Sequence, residues 1–184
     1  MEHDKIIITV RHWLEALVVG LNLCPFAKRE LARNRVRFTV SDAITEEHLL
    51  QDLQNELQLL EADTDIETTL LIHPQVLLDF YDYNQFLDYS DGLLKQMDLV
   101  DVYQVASFHP HYQFFGTQPD DVENYTNKSP YPLLHLLRQD SLAQVIANYP
   151  DSDQIPERNI AQLKGLGLDK VQALFQVSVD TVEE

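Results

Sequence analysis

The sequence contains few cysteines, few glycines and few basic residues. Cys24 is the single cysteine among 184 residues, so no disulfide can form within one chain, and we expect a reducing, cytoplasmic location. Five glycines and no Ser/Gly-rich linker argue against disorder and against a second tethered domain. We therefore expect a single domain over residues 1–184, with a short acidic tail from about residue 176.

The sequence has thirteen basic and thirty acidic residues, which gives a net charge of −17. This charge disfavours binding to nucleic acid and to anionic membranes. Long apolar runs are also missing. The apolar N-terminal stretch is interrupted by Arg11, His12 and Glu15, and it lacks the features of a signal peptide. We expect no nucleic-acid partner and no membrane association. The sequence does not indicate an oligomeric state.

Three segments have the composition of β-strands, and they lie at 36–41, 68–74 and 102–110. Apolar residues at helical spacing predict helices at 5–20, 26–34, 45–62, 79–97, 131–138, 141–148 and 156–174. Long crossovers between the three strands predict that the strands are parallel. We expect an α/β (or α+β) fold, with a small, mainly parallel sheet of three or more strands, helices packed on it and a helical C-terminal third. An antiparallel edge strand within 111–116 or 176–179 is also compatible with the pattern.

Two of the predicted strands end in His-Pro, at His73 and at His109, and His111 follows two residues after the second. Ligands bind outside the carboxyl ends of strands in open α/β sheets, so these side chains mark a candidate site. Histidine is also common in ordinary loops at strand ends. We predict that His109 and His111 act as catalytic residues, for example as a general base.

Cys24 is the candidate nucleophile. Pro25 can begin a helix that carries Lys28 and Arg29, and a thiol at a helix N-terminus near cations is readily ionised. The alternative is that Cys24 is a small buried hydrophobic residue beside Leu23.

A second dense segment, NYTNKSPYPLLHLLR, covers residues 124–138. Its short polar side chains and its cations suit a carboxylate or a phosphate, although a capped amphipathic helix would use the same residues. The predicted ligand-binding residues are Asn127, Lys128, Ser129 and Arg138, with Tyr112 and Tyr125 beside them.

Two other site types have weaker support. Cys24, His109 and His111 could form a zinc site, but no CxxC, no HExxH and no second cysteine accompanies them, so we assign no cofactor and no metal. The segment LKGLGLDKVQAL (163–174) is similar to a DNA-binding helix-hairpin-helix, yet Gly165 and Gly167 also suit an ordinary turn between helices. The net charge disfavours the DNA-binding interpretation.

Four motifs resemble the signatures of a bacterial domain-of-unknown-function family, number "fourteen-fifteen". They are GLNLCPFA (20–27), FHPHYQFFG (108–116), NYTNKSPYPLLHLLR (124–138) and IPERNIAQLKGLG (155–167). The resemblance spans nearly the whole chain and implies a stand-alone cytoplasmic domain. It brings no established activity, substrate or cofactor. The chain has Lys128 where that family usually has arginine, and Gln139 where glutamate is common.

Two functions remain open from the sequence. The first is an enzyme that acts on a small anionic metabolite, with Cys24 or water as nucleophile, a histidine as base, and Lys128 with Arg138 holding the anion. The second is a non-catalytic module that binds a small ligand or another protein through an aromatic surface. That surface would comprise Tyr112, Phe114, Phe115, Tyr125 and Tyr131.

Overall fold

A computed structural model describes residues 2–149 and 151–180, with side chains described up to Gln176. The helices within these residues are α1 (Glu2–Trp13), α2 (Ala27–Ala32), α3 (Glu46–Ala62), α4 (Phe80–Gln96), α5 (Gln139–Asn148), α6 (Ile155–Leu166) and α7 (Leu168–Asp180). The strands are β1 (Val36–Val40), β2 (Thr68–Ile72), β3 (Tyr103–Phe108) and β4 (Leu133–Arg138). A π-helical segment, Leu14–Val19, continues α1, and short 3-10 turns cover Val122–Thr126 and Ser152–Gln154. Residues 181–184 of the predicted acidic tail lie outside the described residues.

The four strands form one mixed sheet in the order β1-β2-β4-β3. Strands β1 and β2 are parallel, whereas β4 is antiparallel to both β2 and β3. The prediction of a mainly parallel sheet is therefore wrong. The antiparallel direction of β4 follows from the connection over 109–132. Because this connection stays at the edge of the sheet where β3 ends, β4 enters the sheet from that edge and runs opposite to β3. Strands β1, β2 and β3 still run the same way as one another.

The predicted strands at 36–41, 68–74 and 102–110 are confirmed as β1, β2 and β3. The helix predicted at 131–138 is wrong, because this segment is strand β4. The helix predicted at 156–174 is two helices, α6 and α7, separated at Gly167, whose φ of 82° suits glycine. Residues 111–116 form turns and 176–179 belong to α7, so neither is an edge strand.

Side chains alternate between the two faces of the sheet, and each face has its own core. On the α3–α4 face, Leu71, Leu134 and Leu136 pack against α3 and α4. On the opposite α1–α7 face, Leu70 and Leu133 pack against α1, the π-helical segment, α6 and α7. A residue's position along its strand therefore decides which core it joins. No helix in the described part of the chain is long and apolar enough to cross a membrane.

Candidate functional site

The edge of the sheet where β1, β2 and β3 end holds two of the histidines that the sequence analysis singled out. The rings of His73 and His109 contact the ring of Tyr83 at centroid distances of 5.8 and 5.1 Å. The Tyr83 hydroxyl donates to Leu133 O (2.8 Å) and accepts from Phe108 N–H (3.0 Å). Tyr83 thus bonds to both β3 and β4 at the end where the two strands separate, on the α3–α4 side of the sheet.

Both nitrogens of His109 are engaged in fixing the backbone. Nε2–H donates to Leu77 O (3.1 Å), and Nδ1 accepts from His111 N–H (3.0 Å). Burial lowers the pKa of His109, so the neutral ring is favoured. A base needs a free nitrogen lone pair, and His109 has already used its own. The ring of His111 is exposed at the surface.

His73 is fully buried and has a similar structural contact. Its Nδ1 pairs with Val76 O at 3.0 Å. Since a carbonyl only accepts, Nδ1 carries the proton. Burial lowers the pKa of His73 to about 4. His73 therefore holds the segment that follows β2.

The polar residues of NYTNKSP are used to hold the long connection over 109–132. Three of them donate to backbone carbonyl oxygens: Asn127 Nδ2 to Ser107 (3.1 Å), Lys128 Nζ to Pro119 (2.9 Å) and Ser129 Oγ to Tyr131 (2.7 Å). Asn124 is also buried, and its Oδ1 accepts from Phe114 N–H at 3.0 Å. Partial burial lowers the pKa of Lys128, whose ammonium group lies over the Tyr125 ring.

Tyr112 and Tyr125 lie in ring clusters. The Tyr112 ring is 5.0 Å from each of the rings of Phe80 and Phe114. Tyr125 is buried and meets the Phe175 ring of α7 edge-on at 5.7 Å. Tyr125 thus helps to pack α7, while Tyr112 joins the edge loop to the start of α4.

Arg138 lies at the opposite end of β4 from this edge. Its guanidinium donates to Leu60 O, Asp63 O and Ile66 O, and to the Tyr103 hydroxyl at 2.9 Å. The length of strand β4 separates Arg138 from Lys128, so the two predicted anion ligands do not converge.

Cys24 lies on the α1–α7 side of the sheet, whereas His109 packs against α4 on the other side. The structure therefore does not bring Cys24 together with His109 and His111. The loop that carries Cys24 begins with a turn at Gly20, where an added Cβ would clash with Ala16 O. Asn159 of α6 holds this loop by donating from Nδ2 to Leu23 O at 2.7 Å.

Cys24 instead lines a cavity of about 340 Å³ between the α1–α7 face of the sheet, α1, the loop 24–27 and α5. Its lining is predominantly apolar. The apolar residues are Trp13, Leu14, Val18, Pro25, Phe26, Ala27, Val36, Leu70, Ala106, Phe108, Leu137, Leu142 and Val145. The volume falls in the range of roughly 300–1,000 Å³ that small-molecule sites occupy.

His135 projects into this cavity from the middle of β4. Thr68 Oγ1 donates to Leu136 O, so at the 2.8 Å contact between His135 Nε2 and Thr68 Oγ1 the imidazole is the donor. This assignment leaves His135 Nδ1 as an acceptor, and it has no partner among the described residues. Burial lowers the pKa of His135 to about 4, so the ring is neutral at pH 7.

Trp13 also lines the cavity. It is 1% exposed, and its Nε1–H has no hydrogen-bond partner in the described part of the chain. The Phe108 ring lies 5.7 Å from the Trp13 ring and 6.1 Å from the His135 ring. Trp13 and His135 both line the cavity, and each has one polar atom without a hydrogen-bond partner among the described residues. A buried polar group left without a partner costs about 1–3 kcal/mol, which a ligand can offset.

Several charged groups at and beside the cavity are paired with one another. Arg29 Nε donates to Glu30 Oε1 at 2.6 Å, Arg35 Nη1 lies 3.5 Å from Glu30 Oε2, and Arg35 Nη2 lies 2.8 Å from Glu67 Oε2. These contacts join two arginines and two glutamates in a chain. Arg138 also lines the cavity, and its guanidinium donates to neutral groups, namely backbone carbonyl oxygens and the Tyr103 hydroxyl.

The described residues contain no group of three or more His, Cys, Asp or Glu side chains placed to hold a metal ion. Trp13, Thr68 and His135 were missed as site residues by the sequence analysis. The sequence analysis predicts a helix at His135, but His135 lies in strand β4. The one sequence signal for a strand is that leucines flank His135 on both sides in Leu133–Leu137, as in a strand that is buried on both faces.

Comparison with known proteins identifies a family but no characterised relative. A family model described as a protein of unknown function (DUF1415) matches residues 5–173. Neither the curated proteins nor the solved structures include a match.

The lowered pKa of His135 generates a prediction about stability. The unfolded chain gains a proton on this residue near pH 6.5, and the folded chain gains it only near pH 4. The stabilising contribution is therefore complete above pH 6.5 and is lost as the pH falls towards 4. Between pH 7 and pH 5 we expect the parent protein to lose about 2 kcal/mol more unfolding free energy than His135→Gln, as measured by urea denaturation. The exposed His48→Gln variant should behave as the parent does. Equal losses in the parent and in His135→Gln would contradict the assignment.

Proposed function

This chain belongs to the DUF1415 family, whose function is unknown, and we propose that it is a small-molecule-binding protein whose ligand occupies the cavity on the α1–α7 face. The observation that carries the proposal is a preformed apolar cavity whose wall also holds a few polar side chains, among them Cys24, His135 and Ser141. Natural binding sites have this form, in which an apolar lining gives affinity and a few polar groups fix orientation. We also propose a cytoplasmic location, because of the single cysteine.

The contacts favour an uncharged ligand over the small anionic metabolite expected from Lys128 and Arg138. Both cations donate to backbone carbonyl oxygens, and they lie at opposite ends of β4. Arg29 and Arg138 both line the cavity, but Arg29 already bonds to Glu30, and Arg138 already donates to backbone carbonyl oxygens. An anion in the cavity would lose its hydration while both arginines keep these partners, which is costly.

The uncharged dye N-phenyl-1-naphthylamine provides a direct test, because its emission rises in apolar surroundings. We expect saturable binding of one dye per chain, with energy transfer from Trp13, the single tryptophan. Ala106→Phe places a ring in the cavity and should weaken dye binding about tenfold or more, because the apolar volume that the dye needs is filled.

The matched control is Ala62→Phe, at an exposed position at the end of α3 on the other side of the sheet. This variant should bind the dye as the parent does, and thermal unfolding should show that both variants are folded. Unchanged dye binding in a folded Ala106→Phe variant would place the dye elsewhere and would remove the basis of the proposal.

A second candidate function is an enzyme in the same cavity, favoured by the fact that Cys24 and His135 both line it. In this version Cys24 Sγ is the nucleophile, and His135 Nδ1 accepts the thiol proton. It keeps the Cys/His chemistry that the sequence suggests and replaces His109 with His135. Cys24 is partly accessible, so its reactivity can be measured.

Alkylation of the single cysteine by iodoacetamide at pH 7 distinguishes the two candidates. If His135 activates Cys24, His135→Gln should slow alkylation about tenfold or more, while His111→Gln should leave the rate unchanged. An equal rate in the parent and both variants would eliminate the enzyme candidate. The binding proposal does not depend on this outcome.

A further inference from the structure

His135 presents a hydrogen-bond acceptor whose orientation and protonation are both fixed. Thr68 Oγ1 donates its single proton to Leu136 O, so its 2.8 Å contact with the imidazole places the ring proton of His135 on Nε2. A rotated ring would lose this bond. The ring also packs against Phe108, with 6.1 Å between the two centroids. Nδ1 is therefore left with a lone pair that can only accept.

Nδ1 of His135 is accessible, unlike the indole nitrogen of Trp13. The buried side-chain polar atoms that lack a partner in the described part of the chain include Trp13 Nε1 and His73 Nε2. His135 Nδ1 also lacks a partner there, but it is not one of these buried atoms, so it retains accessible surface. Strands β2 and β3 flank His135 on both sides, and its side chain lines the cavity. The accessible surface of Nδ1 therefore faces the cavity.

The other polar side chains of the lining do not duplicate this acceptor. The Cys24 thiol and the Ser141 hydroxyl can each turn to donate or to accept, so neither selects a ligand class. Thr68 Oγ1 already has both a donor and an acceptor partner. Glu30 and Glu67 also accept, but both form ion pairs with arginines. What distinguishes the cavity is thus a fixed, neutral acceptor within an apolar lining.

We infer that the ligand is an apolar, uncharged molecule that carries a hydrogen-bond donor, an N–H or an O–H group, and donates it to His135 Nδ1. This inference rests on the proposed function, since it names the class of molecule that the cavity binds. A hydrocarbon, an ether or a ketone would leave Nδ1 without a partner. A carboxylate would place an oxygen lone pair against Nδ1, and an ammonium group would bring charge into an apolar space.

Two pairs of probes test the inference, and each pair compares a donor with an analogue of nearly the same shape. Indole carries N–H where benzofuran carries an ether oxygen, and borneol carries a hydroxyl group where camphor carries a ketone. Binding is measured by calorimetry with the parent protein and with His135→Phe, which removes the acceptor and keeps an aromatic ring. In the parent we expect each donor to bind about five- to tenfold more tightly than its analogue, and in the variant this advantage should disappear.

A spectroscopic readout assigns the bond to the proposed atom. In ¹⁵N-labelled protein, the Nδ1 signal that is missing from His135→Phe should shift when indole is added, and it should shift much less with benzofuran. Thr68→Val removes the contact that keeps the ring proton on Nε2, so the preference for the donor should shrink. His48→Phe, at an exposed position, is the control that should keep the preference. His135→Leu replaces His135→Phe if that variant does not fold.

The outcomes separate the inference from the proposal beneath it. If the dye binds but neither donor binds more tightly than its analogue, the donor assignment is overturned while the cavity remains a binding site. A preference that persists in a folded His135 variant, or an Nδ1 signal that stays fixed when indole is bound, also overturns it. A preference in one pair alone supports the assignment and identifies the donor as N–H or as O–H. If neither the dye nor any probe binds, the proposed function fails as well.

Discussion

The structure depends on the insertion of β4 between β2 and β3. This strand pairs with β2 over Leu133–Leu137 and with β3 over Leu133–Arg138, and both pairings are antiparallel. Because alternate side chains of a strand point to opposite faces, Leu134 and Leu136 join the core beneath α3 and α4, while His135 enters the opposite face. A register shift of one residue would bury His135 in the α3–α4 core. The cavity and its acceptor therefore follow from the pairing of one strand.

The dense motifs that first suggest chemistry have mainly an architectural role. The connection over 109–132 remains at one edge of the sheet, and its backbone polar groups need partners there. Asn124, Asn127 and Ser129 supply those partners through hydrogen bonds to backbone groups. His109 does the same for the loop after β2. Rich polar composition can thus reflect the demands of a long, ordered loop as well as those of a ligand.

The sequence predicted the strands with clear β composition, and it predicted α3 and α4 from their apolar spacing, because these signals are local. It failed at β4, where PYPLLHLLR suits a capped helix as well as a buried strand, and only pairing with β2 and β3 decides between them. That Cys24 and His135 line one cavity could not be foreseen for the same reason. They come from a loop after α1 and from a central strand, and the packing of distant segments places them in one cavity.

The cavity lined by Trp13 is the proposed binding site for an uncharged molecule. The chain has one tryptophan, so ¹⁵N-labelled protein gives one indole N–H signal, which reports on Nε1 alone. The decisive measurement is the position of this signal in a ¹H–¹⁵N spectrum as N-phenyl-1-naphthylamine is added. We expect it to shift and to saturate, because the Trp13 side chain lines the cavity that the aromatic dye occupies. An indole signal that stays fixed while amide signals of residues 109–117 shift would place binding at the sheet edge and would contradict the account.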